Sequence, residues 1–599
     1  MNHFPSIPIL LILFFFIFTN PTSSTIDHFL KLNPQNTATS EYIELTPPLP
    51  TSLLTPTCTT HLLQQDFAHT INSPPITTNY TPPPLQCLWT NAILEFSASC
   101  KGDQYDRIAG VWLDGVEILR TSTAEPTEAG VYWRVQKDIT RYKSLLNGND
   151  SRLSVMLENV VNDVYTGVYH VNISVSYYYN GGEAPAPAPG PAQGPQSSSA
   201  IQIYTKNELR LKLVYEKPAD MIIPISESDD QAGYWYRIQS EKDVKFKEIL
   251  IPGNTHKAVL DIYVSFHGND EFWYSNPPDS YIKLNNLTTT RGNGAFRYVF
   301  VTIDGVYAGS ILPFPVIFTG GINPLFWEPV VAIGAFDLPC YQLDFSPFLG
   351  LLLDGKPHVI GIGVSESISF WLVDANLHLW LDSGSSTVLA SSVISPVPEI
   401  EIKRKSKFKY LDGKFKIKAK RETEFCGWVN SSLGNLTTCV SQEFKFKNKI
   451  KFKNLGQHKE VEQKIKAETQ VKVVSSDTGV VLAQSTIKSK FPLHVITSTT
   501  PGVENNTYVL TTNVSHAFEQ TSFAVFPSGN FSSSINNKQV SGGWMLIQDH
   551  SVLSGNATTN QTLSYNDDNG CYSRTVAVSD GKFLEDNSTV ACITSMSSL

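Results

Sequence analysis

Apolar residues in this chain recur at every second position in short runs, and the 3.6-residue spacing of an amphipathic helix is scarce. Leu153, Val155 and Leu157 show the pattern of a half-buried strand, and so do Phe415, Ile417 and Ala419 between lysines. Gly, Pro, Asn and Asp bound the runs, so the chain reads as largely β. The run Val111–Leu113 meets Val116–Leu119 through Asp114-Gly115, a two-residue turn suited to a hairpin. Asp304-Gly305, Asp354-Gly355 and Asp412-Gly413 are expected to act alike.

Strand-forming residues give way to Pro, Ala, Gly and Ser in GGEAPAPAPGPAQGPQSSS, which reads as an exposed linker at 181–200. On its two sides DITRYKSLL, from Asp138, is echoed by DFSPFLGLL, from Asp344, each followed by a turn and another apolar strand. The division expected is an N-terminal β-sandwich over 25–180, a second over 201–397 and a C-terminal β-rich region over 398–599. The fold class is therefore mainly β, with two jelly-roll-like β-sandwich domains plus that C-terminal region. Beyond residue 400, lysine alternates with apolar residues in KFKYLDGKFKIKAK and FKFKNKIKFK. Such a face could attract anionic polymers, but from sequence a solvated face or a protected edge strand is the stronger reading.

Composition adds an address. The 599 residues exceed one core, and the formal charge of -9 gives no case for nucleic-acid binding. Ile7 to Phe18 is an apolar block too short to span a bilayer comfortably, so 1–24 reads as a secretory signal peptide with no stable membrane span. Export fits the 12 N-x-Ser/Thr sequons at Asn79, Asn149, Asn172, Asn286, Asn430, Asn435, Asn505, Asn513, Asn530, Asn556, Asn560 and Asn587. It also fits eight cysteines without metal-site spacing, which read as disulfides. Cys426 with Cys439 and Cys571 with Cys592 are near enough to staple hairpins; Cys58 with Cys87 and Cys100 with Cys340 complete the set.

The chemistry concentrates between Cys100 and Glu158. Asp106 and Arg107 stand just ahead of the expected hairpin, and Glu158 follows the strand LSVML. Two carboxylates beside a guanidinium can hold, shuttle or orient a proton, although Asp-Arg beside a strand is more often an ion pair. A G-x-S-x-G elbow, an H-E-x-x-H zinc site and a phosphate loop are all missing.

The segments DFAHTINSPPITTNYTPP, YDRIAGVWLDGVEILRTSTAEP, DITRYKSLL and YTGVYHVNISVSYY resemble the plant peptide-N-glycosidase A family, and the likeness continues through most of the chain. A more distant pattern is similar to the bacterial peptide-N-glycosidase F type: an Asp-Arg opening a strand, a D-[IV]-T-x-[FY]-K-S-L-L turn, then a strand ending in Glu. That resemblance implies two jelly rolls with an active site at their junction, a catalytic Asp106 and a supporting Glu158. It places a third acid at Glu271 in SFHGNDEFWYSNPP, with Asp270 and His267 as rivals. It further implies that Arg107 holds a carboxylate or sugar, with Trp112, Trp273 and Trp327 as sugar platforms. The chain departs from the bacterial pattern in having one Cys before Asp106 and no Arg in NPLFWEPVV.

The implied activity is hydrolysis of the amide between an N-glycan and asparagine, which converts Asn to Asp and requires no metal or organic cofactor. N-glycosylated peptides or denatured glycoproteins would be substrates, in the secretory pathway and then the wall, extracellular space or vacuole. A cut linker would give a two-chain form. The alternatives are a noncatalytic carbohydrate-binding or cell-wall protein and a true glycosidase using Asp106 and Glu158.

Overall fold

The computed structural model describes residues 30–31, 38–180, 217–227, 233–393, 396–526, 529–568 and 570–590. The expected signal peptide, the linker and Cys592 lie outside them. Among the described residues no helix is long and apolar enough to cross a membrane.

Eight strands form the first sandwich: Cys58–Phe67, Ile76–Tyr80, Asn91–Cys100, Ile108–Leu113, Val116–Ser122, Val131–Asp138, Ser151–Leu157 and Tyr169–Tyr178. One sheet runs first, eighth, third, sixth, with Ser40–Tyr42 added beside the sixth; the other runs second, seventh, fourth, fifth. This interleaving is the jelly roll. Met221–Ile225, Lys245–Ile249, Thr255–Phe266, Tyr298–Ile303, Val306–Ile311, Cys340–Asp344, His358–Ser365 and Trp371–Leu381 repeat the same order in a second jelly roll. Tyr236–Ile238 pairs there with the eighth strand.

Local chemistry explains several of these elements. Leu113 pairs with Val116 across Asp114-Gly115, whose φ angles of 51° and 78° suit a type I′ turn with the right-handed twist of its strands. Asp304-Gly305 repeats this between Ile303 and Val306. Asp412-Gly413 does not: Lys409 pairs with Asp412, so Tyr410-Leu411 makes the turn and Asp412 already opens a strand. Apolar alternation fixed the two strands but left the register free by a pair of residues.

The echoed motifs adopt one conformation. Asp138 Oδ1 accepts from the Thr140 amide at 2.8 Å and Asp344 Oδ1 from the Ser346 amide at 2.9 Å. Each opens a 3-10 turn, Thr140–Tyr142 or Ser346–Phe348, that runs into a short helix, Lys143–Leu146 or Leu349–Leu352. The two turns dock in succession. Arg141 and Tyr142 reach Asp261 and Tyr263 of the second sandwich, at 2.8 Å and 2.9 Å. Phe348 stacks on Phe425 of the C-terminal region at 5.0 Å.

That region is an antiparallel meander from Asp412–Ser431 to Lys582–Thr589, with Glu401–Lys409 and Leu389–Val393 both pairing with its first long strand. Its inner face packs on the second sandwich through Phe446 on Phe296, Phe491 on Phe314 and Phe452 on Tyr281. Asn448 Nδ2 donates to the Tyr274 carbonyl, Gln539 Nε2 to that of Val331 and Thr559 Oγ1 to that of Phe326. One apolar cluster runs through both jelly rolls and the meander.

Cys58 is joined to Cys87, and Cys426 to Cys439 directly across two strands. The expected Cys100–Cys340 pair does not form. Cys100 is buried beside Gly167 in the first jelly roll, whereas Cys340 lies near Arg141 and Asp261 in the second. Burial pushes both thiols up, to about 12 for Cys100 and beyond the ordinary range for Cys340. Ten of the sequon asparagines are exposed; Asn435 and Asn556 are half-buried, and Asn556 Nδ2 donates to both oxygens of Asp580.

Candidate active site

Asp106 lies in the connection between the third and fourth strands of the first jelly roll, and Glu271 lies in the same connection of the second. Glu158 opens the seventh-to-eighth connection of the first. The Asp106 and Glu271 loops are therefore topologically equivalent.

Arg107 continues the backbone ladder: its amide donates to Thr123 Oγ1, and its carbonyl accepts from the Thr123 amide, both at 2.8 Å. The guanidinium is turned inward, with Nη2 on Gln104 Oε1 at 2.5 Å. Gln104 Nε2 in turn donates to the carbonyls of Val160 and Gly167. The Asp103 carbonyl receives the amides of Thr166 and Gly167, and Tyr169 Oη donates to the Tyr105 carbonyl. These bonds lace the Asp106 segment to the one that Glu158 opens. Arg107 thus ties the Asp106 loop to its neighbours through one guanidinium nitrogen. Glu158 Oε1 accepts from the Asn72 amide at 3.0 Å. Across the junction it faces Arg237, whose pKa burial lowers and Glu158 supports.

On the second sandwich Asp270 is accounted for by its partners. Asp270 accepts from Arg297 Nε and Nη2 at 2.8 and 2.9 Å, Asn276 Nδ2, the Ile368 amide and Trp371 Nε1. It is a fully engaged buried anion that folds its loop. Glu271 is buried as well, 6 % exposed, and takes no part in these bonds to Asp270. His267 donates to or accepts from Ser265 Oγ at 2.8 Å and is clamped between Phe318 and Phe370, with centroids at 5.4 and 5.2 Å.

A chain of contacts runs from Glu158 to the Asp106 segment. The Arg237 guanidinium, facing Glu158, lies 3.5 Å over the Phe370 ring; Phe370 stacks on His267, and His267 on Phe318. Next to Phe318, Thr319 Oγ1 donates to the Thr123 carbonyl at 2.7 Å, returning the path to Arg107 and Asp106. Phe370 and His267 are half-buried, and their faces are taken by one another, by Arg237 and by Phe318, which leaves their edges at the surface.

Trp112 and Trp273 are 0 % exposed and Trp327 1 %, which removes all three as sugar platforms. Trp112 Nε1 donates to Asp374 Oδ2 at 2.7 Å, and Trp327 Nε1 to the Gly321 carbonyl at 2.9 Å. Trp273 packs between Phe266 and Phe446. The sequence reading also missed Glu125, a buried acid whose charge, with burial and Tyr165, raises the Tyr105 phenol. Tyr105 and Tyr165 sit 5.4 Å apart on the Asp106 side. Beneath the His267 stack, Arg120 is held by both oxygens of Glu117 and donates to the Leu372 carbonyl and to Ser265 Oγ, the partner of His267.

Two jelly rolls meeting at a junction rimmed by carboxyl groups and ring edges define a two-domain β-sandwich protein equipped for hydrolytic chemistry on a sugar-bearing ligand. The chain belongs to the family described as peptide N-acetyl-β-D-glucosaminyl asparaginase amidase A, which it matches over residues 46–396. It is 41 % identical over 562 residues to peptide-N4-(N-acetyl-β-glucosaminyl)asparagine amidase A of Prunus dulcis, covering 93 % of this chain and 94 % of that one. Among solved structures, PNGase F, a glycosylasparaginase from Flavobacterium meningosepticum, aligns with a TM-score of 0.31 at 15 % identity, over 54 % of this chain and 96 % of its own. PNGF-II aligns with a TM-score of 0.34 at 12 % identity, over 55 % and 66 %.

Proposed function

We propose that this amidase hydrolyses the amide between N-acetylglucosamine and asparagine in glycopeptides, at the junction of its two jelly rolls. The observation that supports the assignment is the equivalent placement of Asp106 and Glu271, each in the third-to-fourth connection of its own jelly roll, on two sandwiches that share one buried core. Asp106 takes a proton from water as its oxygen bonds to the asparagine side-chain carbonyl carbon. The C–N bond then breaks, the nitrogen leaves protonated as a glycosylamine, and the peptide keeps an aspartate. The glycosylamine afterwards loses ammonia in water. Glu271 assists proton movement from the facing sandwich, and Glu158 with Arg237 orients the substrate. The half-buried edges of Phe370 and His267 border the path of the sugar.

The substrate is an N-glycosylated peptide or an unfolded glycoprotein, met along the secretory pathway or beyond it, in the wall, extracellular space or vacuole. The disulfides Cys58–Cys87 and Cys426–Cys439 and the sequons support that address. Cleavage in the linker would give two chains held by the buried interface between the jelly rolls.

The test is mass spectrometry of a glycopeptide treated in oxygen-18 water with the wild type and with Asp106→Asn. Labelled aspartate and a glycan with an intact chitobiose end, formed by the wild type alone, are expected. A folded Asp106→Asn variant with full activity would overturn the assignment of Asp106. Intact glycopeptide with folded wild type would favour a noncatalytic carbohydrate-binding role, and release that leaves asparagine on the peptide a glycosidase.

A further inference from the structure

Residues 401–466 hold 18 Lys and Arg against 7 Asp and Glu, a balance of +11 within a chain whose formal charge is -9. The strand register gathers these charges onto the outer face of the meander, away from the sandwiches. Lys403 pairs with Lys418, Lys418 with Lys447 and Lys447 with Lys464, a row of four ammonium groups across four strands. Beside it Lys405 faces Lys416, and Lys407 faces Lys414. All eight are exposed, and among the described residues they form no ion pair. At about 4.8 Å between strands and 6.8 Å between alternate residues, the lattice measures roughly 14 Å on a side.

Like charges directly opposite each other destabilise a sheet, so such a lattice needs a reason. Edge protection supplies one only for Glu401–Lys409, because Lys418, Lys447 and Lys464 stand on strands paired on both sides. Solubility is served by mixed signs, and this sheet does mix them nearby: Lys449 and Lys451 pair with Glu462 and Glu460, Lys488 with Glu468, and Lys490 with Glu519. Within the lattice the charges act on one another, and Lys414 foremost holds the Lys416 ammonium below its usual pKa. The row Lys420–Lys445–Lys466–Lys490 then leads into a trough of about 820 Å³, walled by Glu443, Glu468 and Glu519, which pair with Lys445, Lys488 and Lys490, and by Thr521, Asn536 and Ser564.

We propose that this outer face docks a carboxylate-bearing polysaccharide. Lysines are compact, hydrated point charges suited to charges dispersed along a polymer, and the eight-lysine lattice holds no arginine fork for bidentate contact with a single carboxylate or phosphate. The hydroxyl and amide side chains of the trough match sugar hydroxyls. No aromatic ring stands within the eight-lysine lattice, so nucleobases find no stacking platform there. The inner face of the same sheet carries the Tyr274 and Phe296 contacts, so docking leaves the jelly-roll junction open.

The full-length protein is tested for retention on polygalacturonate and on the same polymer fully methyl-esterified, over a range of salt. Two variants accompany it, with Lys403, Lys418, Lys447 and Lys464 all changed to Gln or all changed to Arg. Expected are binding to the free-acid polymer that falls with salt, at least tenfold weaker binding by the Gln variant, retention by the Arg variant, and unchanged glycopeptide hydrolysis by both. Equal binding by the Gln variant, equal binding to the methyl ester, or no binding by the wild type would overturn the proposal. Tighter retention on heparin, RNA or anionic vesicles than on polygalacturonate would overturn the choice of ligand.

Discussion

Trp112 of the first jelly roll donates its indole N–H to Asp374 of the second at 2.7 Å, and neither side chain is exposed. Burial, and then the charge of Glu117, raises the Asp374 pKa well above the carboxylate range, so Asp374 keeps its proton and offers it to Glu117. Glu117 in turn grips Arg120 with both oxygens and accepts from Trp235 Nε1. The interface is therefore held by one buried cation, one buried anion and one neutral acid, a charge count that closes.

Removing different members of that group should have unequal effects. Asp374→Asn keeps a neutral hydrogen-bonding group and is expected to cost less than about 1 kcal/mol. Glu117→Gln strands the Arg120 guanidinium and should cost about 3–5 kcal/mol. Denaturant titration of the two variants compares them, and equal losses would show that Asp374 is ionised in the folded protein.

Arg141 makes a second junction contact, with Asp261, a carboxylate that is 0 % exposed. His378 Nε2 lies 3.1 Å from the same carboxylate. Arg141→Ala should destabilise the protein by about 3 kcal/mol, and Tyr142→Phe, which loses the bond to Tyr263, by about 1 kcal/mol. Because both contacts close one interface, the double variant is expected to lose less than the sum of the single losses. Strict additivity would show that the contacts act independently.

Much of this architecture was legible because its causes are local. Alternating apolar residues marked the strands, Asp114-Gly115 and Asp304-Gly305 demanded their hairpins, and short separations made Cys58–Cys87 and Cys426–Cys439 natural pairs. The Asp138 and Asp344 motifs were recognisable as capped turns, but not what each docks against. What failed depended on which surfaces meet. A tryptophan in a strand looks the same whether it faces a ligand or another sandwich, so the burial of Trp112 became visible only with Asp374, 262 residues away. Asp270 and Glu271 are neighbours in sequence, and only the fold shows that Arg297, Asn276 and Trp371 all bind Asp270. The Cys100–Cys340 expectation rested on elimination, which carries no physical constraint on distance.

Phe370 is the most accessible test of the aromatic stack, lying between Arg237 and His267. If its exposed edge packs against a sugar, Phe370→Ala should raise KM for a glycopeptide about tenfold, a loss of about 1.4 kcal/mol, with kcat changed less than about twofold. Loss confined to kcat would move the ring's role from binding to the chemical step.

His516 supplies a pH signature for the seam between meander and second sandwich. It is buried beside Phe314 and Trp327, shares a 2.7 Å hydrogen bond with Gln539, and burial lowers its pKa to about 4. Unfolded, the imidazole takes up a proton near its ordinary 6.5, so between about pH 6.5 and 4 the unfolded chain binds more protons than the folded one. Stability must then rise with pH in that window and be lost as pH falls through it, by about 3 kcal/mol from this residue. Comparing denaturation midpoints at pH 7 and 4.5 for wild type and His516→Gln isolates the effect, since other titrating groups are common to both. The variant should show the smaller loss on acidification; parallel losses would mean that His516 is already protonated in its buried position.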